Sequence, residues 1–434
     1  MKQIALINHG CAKNLIDSEL MLGQLAQNGY KITLDDTKAD IVIVNTCSFI
    51  HDAEKESVSS IFEMINAGKK VIITGCLPQK YKKELQKLIP EAYAFLGTSD
   101  LDKISEVIKN LEDGGKSDYE VNEKPEYNYP ENIERQQITV GASSYIKIAD
   151  GCDFNCGYCI IPQLRGPYKS RTIENIVKEA KELVNKGVNE IVLIAQDTTS
   201  YGKDIYGSPK LAELLIELNK IENLSWIRIM YTYPSLITEE LLKTIAALDK
   251  VVKYIDVPLQ HVSKNQLELM NRPVTDNKKL IKKIRKIIPN CAIRTTFIVG
   301  YPNETEEDFN ELCDFVKTMK LDRVGVFEFS REKNTKADKL KPQIPAKIKH
   351  QRRKKLMSIQ QGISKEINEK LIGKKIDCIV EALSSDGLIT ARTYKDAPEV
   401  DGLIYIETEK DVTPGDIITV KVTGAVEYDL KGSY

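Results

Sequence analysis

A strand–helix unit repeats six times between residues 138 and 367, and this repeat constrains the fold more than any other feature of the chain. Short β-branched runs alternate there with helical stretches, and strictly alternating units of this kind form a parallel sheet. A closed barrel needs eight such units. We therefore predict an α/β fold in which this region is a partial (β/α)6 barrel, open on one side. Its six predicted strands are residues 145–149, 191–195, 226–231, 254–258, 293–299 and 324–329.

The sequence on either side of the repeat predicts two smaller domains. Residues 1–113 alternate short apolar runs with helices, which predicts a parallel α/β domain. Residues 114–137 begin with two glycines and carry prolines and many charges, which is typical of a linker. Residues 370–434 contain short strand patterns joined by turn residues, which predicts a small all-β barrel. The strands predicted in these two domains are 4–8, 41–45 and 71–74, and then 376–381, 388–392, 402–408 and 417–423.

Length, charge and apolar patterning exclude several classes of protein. The chain has 434 residues and a formal net charge of −1, and a chain of this length can bury a large core without disulfides. No apolar run approaches the roughly 18 residues of a spanning helix, and the amino terminus lacks a secretion signal. The nine cysteines are an odd number, which argues against a disulfide framework. We therefore expect a cytoplasmic protein with no membrane partner, whose cysteines are core residues or ligands.

Three closely spaced cysteines follow the first strand of the predicted barrel. Cys152, Cys156 and Cys159 lie in the segment Gly-Cys-Asp-Phe-Asn-Cys-Gly-Tyr-Cys, on a loop at the carboxyl end of a strand, where βα barrels carry their active sites. Three thiolates with this spacing fit a 4Fe–4S cluster with one iron left open to a ligand from outside the protein. Zinc and free thiols are the alternatives, but structural zinc sites usually have four ligands, and no fourth Cys or His lies nearby.

This loop resembles that of the radical S-adenosylmethionine (SAM) enzymes, which also carry an aromatic residue, here Tyr158, beside the last cysteine. The resemblance implies that the open iron binds the amino and carboxylate groups of SAM and that Tyr158 lies at the cofactor. It also implies that one electron, supplied by an external donor, cleaves SAM to a 5′-deoxyadenosyl radical. A partial six-unit barrel is the fold that the resemblance implies as well.

Three further cysteines each follow one strand of the amino-terminal domain. Cys11, Cys47 and Cys76 are 36 and 29 residues apart, a spacing that matches no short metal motif. The carboxyl ends of adjacent parallel strands open into one crevice, which is the usual ligand site of such sheets. The placement therefore predicts a second cluster, and three buried core thiols are the alternative because free cysteine is often buried.

The two smaller domains extend the resemblance over essentially the whole chain. The strings Gly-Cys-Ala-Lys-Asn-Leu-Ile-Asp-Ser-Glu (10–19), Asn-Thr-Cys (45–47) and Gly-Cys (75–76) resemble the amino-terminal domain of the radical SAM methylthiotransferases. The carboxyl-terminal barrel resembles their TRAM domain. In that family the amino-terminal cysteines hold an auxiliary 4Fe–4S cluster that carries or supplies sulfur. The resemblance thus implies two clusters, with one SAM used as the radical source and a second as the methyl donor.

Other candidate site residues follow or lie within strands of the predicted barrel. Gln196 follows the second strand and resembles by position the segment that contacts the SAM amino group. Gly300 follows the fifth strand, where a glycine lets the backbone approach a ligand. Arg294 lies within the fifth strand and faces either the SAM carboxylate or the outer helices. For Gln196 and Arg294, the alternative is a polar network of the barrel in which both side chains are hydrogen-bonded. His261 either contacts SAM or the substrate or has a structural role. No catalytic residue is assigned beyond the cluster ligands.

The methylthiotransferases have two main branches, which act on a tRNA adenosine or on the β-carbon of an aspartate in small-subunit ribosomal protein S twelve. Segments 11–19, 159–171 and 256–266 resemble the second branch, the RimO family. The tRNA branch usually carries Gln and Met after the first cysteine, where this chain has Ala12 and Lys13. Ala12 also departs from the proline that is frequent in the RimO family. We therefore expect protein S twelve or the small ribosomal subunit as partner, with a tRNA adenosine methylthiotransferase as the closest alternative.

The distribution of charge favours a protein substrate independently of the resemblance. Residues 371–434 hold seven Lys or Arg and twelve Asp or Glu, a net charge of −5. Because nucleic-acid binding depends on basic groups that neutralise phosphates, an acidic barrel suits a basic ribosomal protein better than a tRNA. Residues 333–355 hold ten Lys or Arg and one Asp, a net charge of +9, which is either a solvated helix face or a contact with ribosomal RNA.

An iron–sulfur electron carrier or sensor without a substrate is the alternative from another class of function. A carrier needs neither an open iron nor a barrel, and it does not cleave SAM. Cleavage of SAM by the reduced protein would therefore distinguish the enzyme from the carrier.

Overall fold

The structure is a computed structural model that describes residues 2–48, 50–115, 119–130, 133–138, 141–384, 387–408 and 410–434. Its chain forms two compact units. The first unit comprises residues 1–140, 149–155 and 159–171, and the second comprises 141–148, 156–158 and 172–434. Within these described ranges, no helix combines the length and the apolar composition that a membrane span requires.

The first unit is built around a parallel sheet of six strands in the order β2-β1-β3-β4-β5-β6. These strands are β1 (Gln3–Asn8), β2 (Lys31–Ile32), β3 (Ile41–Thr46), β4 (Lys70–Gly75), β5 (Ala94–Leu96) and β6 (Tyr119–Glu120). The helices are α1 (Ala12–Gln27), α2 (His51–Asn66), α3 (Cys76–Tyr81), α4 (Lys83–Leu88) and α5 (Ile104–Glu112), with 3-10 turns at Asp36–Lys38 and Leu101–Lys103. Every residue of β3 is buried, as expected for a parallel strand covered on both faces. The three predicted strands are confirmed, and β2, β5 and β6 were not predicted.

The predicted linker, residues 114–137, lies partly outside the described residues, which omit 116–118, 131 and 132. Two of its residues form β6, which pairs in parallel with β5. Further along, Arg135 forms a buried ion pair with Glu19 of α1 at 2.9 Å. The described part of this segment therefore packs on the first unit.

Six parallel strands form the centre of the second unit and lie in two sheets of three. They are β7 (Ser143–Lys147), β10 (Glu190–Ile194), β11 (Trp226–Ile229), β12 (Tyr254–Asp256), β13 (Ala292–Val299) and β14 (Arg323–Glu328). The sheets have the orders β11-β10-β7 and β12-β13-β14, and an isolated parallel bridge joins Ile227 to Val251. The predicted partial (β/α)6 barrel is thus confirmed, with each strand within one or two residues of its predicted start. Two short antiparallel strands, β8 (Ala149–Asp150) and β9 (Lys169–Ser170), belong to the first unit.

The helices of this part of the chain follow the strands as the repeat predicts. They are α6 (Ile161–Arg165, in the first unit), α7 (Ile173–Asn185), α8 (Lys203–Tyr206), α9 (Leu211–Asn219), α10 (Glu239–Ala247), α11 (Lys264–Leu269), α12 (Asn277–Ile287), α13 (Glu306–Met319), α14 (Lys336–Lys339) and α15 (Ala346–Glu369), with a 3-10 turn at Pro234–Leu236. Several begin at a threonine or serine that accepts a backbone hydrogen bond, and α13 begins with a full capping box at Thr305 and Asp308.

The carboxyl-terminal region is a closed barrel of five strands, one more than predicted. The strands are β15 (Lys375–Leu383), β16 (Ile389–Thr393), β17 (Ile404–Glu407), β18 (Ile417–Ala425) and β19 (Leu430–Ser433). Their order around the barrel is β15-β16-β17-β19-β18. The fifth strand, Leu-Lys-Gly-Ser, has no β-branched residue and contains a glycine, so its sequence carries little strand signal. It closes the barrel by pairing in parallel with β17 and antiparallel with β18.

Buried ion pairs join the closed barrel to the partial barrel. The carboxylate of Glu190, the first residue of β10, accepts hydrogen bonds from Arg228 at 2.7 Å and from Arg392 of the closed barrel at 2.5 Å. All three side chains are almost fully buried. Burial opposes ionisation of Glu190, but the charges of Arg392 and Arg228 more than offset it, and the pKa of this carboxyl is about 2. Glu190 is therefore ionised and pairs with two buried arginines, of which Arg392 also pairs with Glu381 at 2.6 Å.

The variant Glu190→Gln should destabilise the folded protein by about 3 kcal/mol, because breaking a buried ion pair leaves uncompensated charge. The folded-state pKa lies below the ordinary value of 4.5, so the contribution of Glu190 is present above that pH and is lost as the pH falls towards 2. The penalty measured by chemical denaturation should therefore shrink on acidification below about pH 4.5. Glu222→Gln, at an exposed position, is the control and should change stability by less than about 0.5 kcal/mol.

Candidate iron–sulfur sites

The three cysteines of the amino-terminal domain lie at the same edge of its sheet. Cys11 is the N-cap of α1 just after β1, Cys47 directly follows β3, and Cys76 is the first residue of α3 just after β4. Because β1, β3 and β4 are neighbours and parallel, their carboxyl ends meet at one edge. Cys11 is exposed, whereas Cys47 and Cys76 are buried.

Two observations bring these thiols close together. A Cβ atom on Gly10 would lie 2.9 Å from the sulfur of Cys47, so the backbone before Cys11 runs directly against that thiol. Burial raises the pKa of the Cys76 thiol to about 12, the charge of Arg165 lowers it, and the charges of Cys47 and Cys11 raise it. The three thiols therefore lie at one edge of the sheet, and the cluster that we expect them to hold stays a prediction.

The side chain of Asn14, in α1, forms hydrogen bonds with residues around all three cysteines. Its amide nitrogen donates to the carbonyls of His9 and Thr46, each at 3.0 Å, so it ties the turn before Cys11 to the turn before Cys47. Its side-chain oxygen lies 4.0 Å from the sulfur of Cys76 and accepts a hydrogen bond from Arg165 at 2.5 Å. One buried amide thus links the loops of all three cysteines, a role that sequence reasoning missed.

Arg165, the last residue of α6, is a cation whose charge lowers the pKa of the Cys76 thiol. Its guanidinium is buried and forms ion pairs with Asp17 at 2.7 Å and with Asp150 at 2.9 Å. The negative charges of Asp150, Asp17, Cys76 and Cys11 outweigh burial and raise the pKa of the guanidinium further. Helix α6 also packs on α3, and Ile160 and Leu164 form an apolar cluster with Cys76.

The cysteines of the second group follow one another on the loop between β8 and α6. Gly151 has a φ of +76°, and a Cβ atom there would collide with the carbonyl oxygen of Pro167, so this position requires glycine. The amide of Cys152 donates to the carbonyl of Gly166 at 3.1 Å, and the amide of Ile161 donates to the sulfur of Cys159 at 3.4 Å. The backbone therefore fixes this loop on both sides.

The middle of the loop makes contacts within the second unit. The amide of Gly157 donates to the carbonyl of Met270 at 2.7 Å, and its own carbonyl accepts from Ala337 at 2.8 Å. The ring of Tyr158 packs edge-on against Tyr301, with 6.5 Å between ring centroids. The hydroxyl of Tyr158 and the sulfur of Cys156 both lie beside the guanidinium of Arg272, at 3.3 and 3.7 Å.

The donor sets fit iron–sulfur clusters. Each group supplies three cysteines, and thiolates are the protein ligands of 4Fe–4S clusters. Across the described ranges, no three Cys, His, Asp or Glu side chains converge as tightly as the ligands of a single metal ion do. In a cluster each thiolate binds a different iron, so such convergence is not required.

Comparison with known proteins identifies each region of the chain. Residues 3–97 match the family described as "Uncharacterized protein family UPF0004", residues 146–316 match the radical SAM superfamily, and residues 372–434 match the TRAM domain. The ribosomal protein uS12 methylthiotransferase RimO of Thermoanaerobacter sp. (strain X514) is 47% identical over 440 residues, which cover 100% of both chains. This chain belongs to the RimO family. The RimO protein of Clostridioides difficile (strain 630) is 46% identical over 100% of this chain and 98% of its own length.

Two solved structures share the fold of this RimO-family chain at much lower identity. One is the radical SAM methyltransferase TsrM of Kitasatospora setae with cobalamin and a 4Fe–4S cluster bound, with a TM-score of 0.56 and 15% identity over 90% of this chain and 80% of that one. The other is the cobalamin-dependent SAM radical enzyme OxsB, with a TM-score of 0.54 and 13% identity over 84% of this chain and 56% of that one. At these identities the likeness concerns the fold alone.

The remaining candidate residues of the RimO-family chain lie at different places in the partial barrel. Gln196 follows β10 and Gly300 follows β13, both at carboxyl ends of strands. The amide of Gly300 donates to Glu304 at 2.5 Å, and a Cβ atom there would collide with Lys349. Arg294 is the third residue of β13, and its guanidinium forms ion pairs with Asp256 and Asp401 at 3.1 and 3.4 Å. The assignment of Gln196, Arg294 and Gly300 to SAM stays a prediction.

His261 lies in a buried network, as its structural alternative requires. The side chain is fully buried, its Nδ1 accepts a hydrogen bond from the amide of Ser263 at 3.1 Å, and its Nε2 contacts Glu304 at 3.2 Å. Glu304 also pairs with Arg352 of α15. The other cysteines, Cys291, Cys313 and Cys378, are buried.

The variant Gly10→Ala should displace the Cys47 thiol, because the added methyl group would lie 2.7 Å from Cys47 Cβ. We expect the reconstituted variant to lose about half of its iron, since one of two predicted clusters loses a ligand position. Gly29→Ala is the matched control, because Gly29 has a similar φ of +83° but nothing within 4 Å of the added atom. Both variants should lose about 1 kcal/mol of stability from the positive φ, and equal iron contents would contradict the proximity of Gly10 and Cys47.

Proposed function

We propose that this chain is a radical SAM enzyme that methylthiolates the β-carbon of an aspartate in ribosomal protein uS12, using two SAM and a sulfur donor. The observation that carries the proposal is the presence of two separate three-cysteine groups in a chain aligned end to end with proteins named for this activity. One group lies at the carboxyl ends of three parallel strands, and the other lies on the single loop between β8 and α6. A tRNA adenosine methylthiotransferase is not favoured, because relatives 45 to 47% identical over essentially the whole chain carry the uS12 name.

The two cysteine groups have different tasks in this proposal. Cys152, Cys156 and Cys159 hold the 4Fe–4S cluster at which SAM is cleaved, and Cys11, Cys47 and Cys76 hold the auxiliary 4Fe–4S cluster. When bound, the first cluster supplies the electron for homolytic cleavage of SAM, and the second supplies or carries sulfur. The side chains that we assign to SAM are Tyr158, Gln196, Arg294 and the backbone at Gly300.

The chain's own residues prepare these sites without acid–base chemistry. Asn14 and Arg165 hold the loops of the first group, and the hydrogen bonds of Cys152 and Gly157 fix the loop of the second. Hydrogen abstraction by a radical needs no general base, so we assign no catalytic residue beyond the cluster ligands. We place the enzyme in the cytoplasm, where its substrate is made, and we expect an external protein to supply the electron.

We also propose that the basic segment 333–355 contacts ribosomal RNA beside the substrate. Eight of its ten cationic side chains are exposed, and two turn inwards. Lys349 donates to the carbonyl of Phe329 at 2.7 Å, and Arg352 pairs with Glu304 at 2.5 Å. The exposed set is Lys333, Lys336, Lys339, Lys341, Lys347, Arg353, Lys354 and Lys355. A surface of this charge binds phosphates more strongly than it binds a basic protein.

A competition under anaerobic conditions tests the substrate and the roles of the cysteines together. Reconstituted enzyme, SAM and a reductant are given small ribosomal subunits and tRNA, and both polymers are analysed by mass spectrometry. We expect a methylthio increment only on the aspartate-bearing peptide of uS12. Cys156→Ala should abolish both SAM cleavage and the increment, whereas Cys47→Ala should retain SAM cleavage and lose only the increment.

Cys291→Ala is the control for this experiment, because Cys291 is buried outside both groups. It should retain both activities. An increment on tRNA alone would contradict the proposed substrate, and a Cys47→Ala enzyme that no longer cleaves SAM would contradict the separation of tasks. A reduced wild-type protein that produces no deoxyadenosine would support the carrier or sensor instead.

The double variant Lys347→Glu/Lys354→Glu tests the RNA contact, since both side chains are exposed on α15. We expect weaker binding to small subunits, with the slope of log affinity against log salt reduced by about two. Binding to free uS12 should be unchanged. Lys178→Glu/Lys181→Glu on α7 makes the same change of charge at exposed positions and should leave subunit binding unchanged. Equal slopes for the two double variants would identify 333–355 as an ordinary solvated surface.

A further inference from the structure

Arg272 is a buried cation beside the second cysteine of the loop that follows β8. The residue lies just after α11, where Asn271 takes a φ of +53° and the amide of Arg272 donates back to the carbonyl of Leu267 at 2.9 Å. Asparagine tolerates this left-handed conformation better than most residues do, and Pro273 prevents the helix from continuing. The backbone at the end of α11 therefore sets the position of Arg272. The residue is buried, with 8% of its surface exposed.

The guanidinium of Arg272 contacts two residues of the cysteine loop, a backbone carbonyl and an aromatic ring. One of its nitrogens lies 3.7 Å from the sulfur of Cys156 and 3.3 Å from the hydroxyl of Tyr158, and the other donates to the carbonyl of Pro258 at 2.9 Å. Its plane lies over the ring of Tyr233, with 4.4 Å to the ring centroid. Among the described residues, the other hydrogen-bond and ring partners of this guanidinium are therefore neutral groups.

Within the described part of the chain, no carboxylate forms an ion pair with Arg272. The other buried arginines of the second unit differ in this respect, since each has an Asp or Glu partner; they are Arg228, Arg323, Arg352 and Arg392. Burial of an uncompensated charge is costly, so buried cations are almost always paired. The Cys156 thiol lies beside the guanidinium of Arg272, in the place that a carboxylate partner occupies at the other arginines.

We propose that Arg272 is the counter-charge of the SAM-cleaving cluster, that it positions the Cys156 ligand, and that it raises the reduction potential of the cluster. This inference rests on the proposed function, because it requires a cluster on Cys152, Cys156 and Cys159. A thiolate-ligated cluster is negatively charged and becomes more negative when it accepts an electron. A fixed cation and an N–H···S contact at one ligand stabilise the reduced state more than the oxidised state.

The chain fixes the cluster loop and Arg272 to the same short segment. Gly157, next to Cys156, donates to the carbonyl of Met270, two residues before Arg272. A Cβ atom on Gly157 would lie 2.6 Å from the hydroxyl of Tyr301, which itself donates to the carbonyl of Leu269 at 3.1 Å. The distance between the guanidinium and the Cys156 sulfur is therefore set by backbone hydrogen bonds and not by a flexible side chain alone.

The test compares Arg272→Gln with Arg272→Lys in the full-length chain. Both are made in a background with Cys11, Cys47 and Cys76 replaced by Ala, so that a single cluster gives the signal. After anaerobic reconstitution, the chains are held at the potential at which half of the parent cluster is reduced, and the reduced fraction is measured by electron paramagnetic resonance. Iron content and circular dichroism are recorded on the same samples.

We expect Arg272→Gln to lower the ratio of reduced to oxidised cluster about tenfold, equivalent to about 59 mV for a one-electron couple, or to lose the cluster while remaining folded. Arg272→Lys keeps the charge and should stay within about twofold of the parent ratio. Arg285→Gln is the control, because Arg285 also donates to backbone carbonyls but lies at the surface. If the Gln and Lys variants behave alike, the counter-charge role is wrong.

Two further outcomes separate this inference from the proposed function. If the parent chain itself binds no cluster, the proposed function fails first and the inference with it. If Arg272→Gln does not fold, Arg272→Met takes its place, since it also removes the charge and keeps a long unbranched side chain over the ring of Tyr233. A lower ratio of reduced to oxidised cluster in that chain would support the inference, and an unchanged ratio in a folded, loaded Arg272→Met chain would contradict it.

Discussion

The ion pairs of Arg165 with Asp17 and Asp150 hold together the part of the chain in which both cysteine groups begin. Asp17 belongs to the helix that starts after Cys11, and Asp150 lies two residues before Cys152. All three side chains are buried, so removing the arginine would break two buried ion pairs, at a cost of about 3–5 kcal/mol. The chemistry of the chain depends on this arrangement because the same guanidinium, through Asn14, also reaches the loops of Cys47 and Cys76.

Each cysteine group has one buried arginine beside one of its thiols. Arg165 lowers the pKa of the Cys76 thiol against the effect of burial, and Arg272 contacts the Cys156 sulfur. The two arginines are paired differently, since Arg165 has two carboxylates and Arg272 has none among the described residues. The positive charge of Arg165 is thus largely neutralised by the protein, whereas that of Arg272 is left for its thiol. A cluster that must accept an electron gains from the second arrangement and a cluster that only carries sulfur does not.

The cysteine groups could be predicted from the sequence, and the residues that organise them could not. A cysteine at the end of a short apolar strand is a local pattern, and parallel topology converts three such patterns into one site. Asp17 and Arg165 are 148 residues apart, and Arg272 is 116 residues from Cys156, so no local pattern joins them. In contrast, the inward turn of Lys349 and Arg352 was visible in the sequence. With Leu356, Gln360 and Ile363 they recur at intervals of three or four residues, which is the period of one helix face.

The closed barrel is acidic and the segment 333–355 is basic, and the ion pairs of the folded chain do not remove this difference. Two acids of the closed barrel, Asp396 and Asp401, are used in ion pairs with Arg323 and Arg294 of the partial barrel. Two of its cations, Arg392 and Lys395, are used in the same way by Glu190 and Asp322. These contributions cancel, and one further acid, Glu427, pairs with Lys365 of α15, so the closed barrel remains acidic. An acidic surface, whose charge suits a basic protein, and a basic surface, whose charge suits RNA, therefore occur in one chain. A ribosomal subunit presents both of these partners together, whereas a tRNA presents only one.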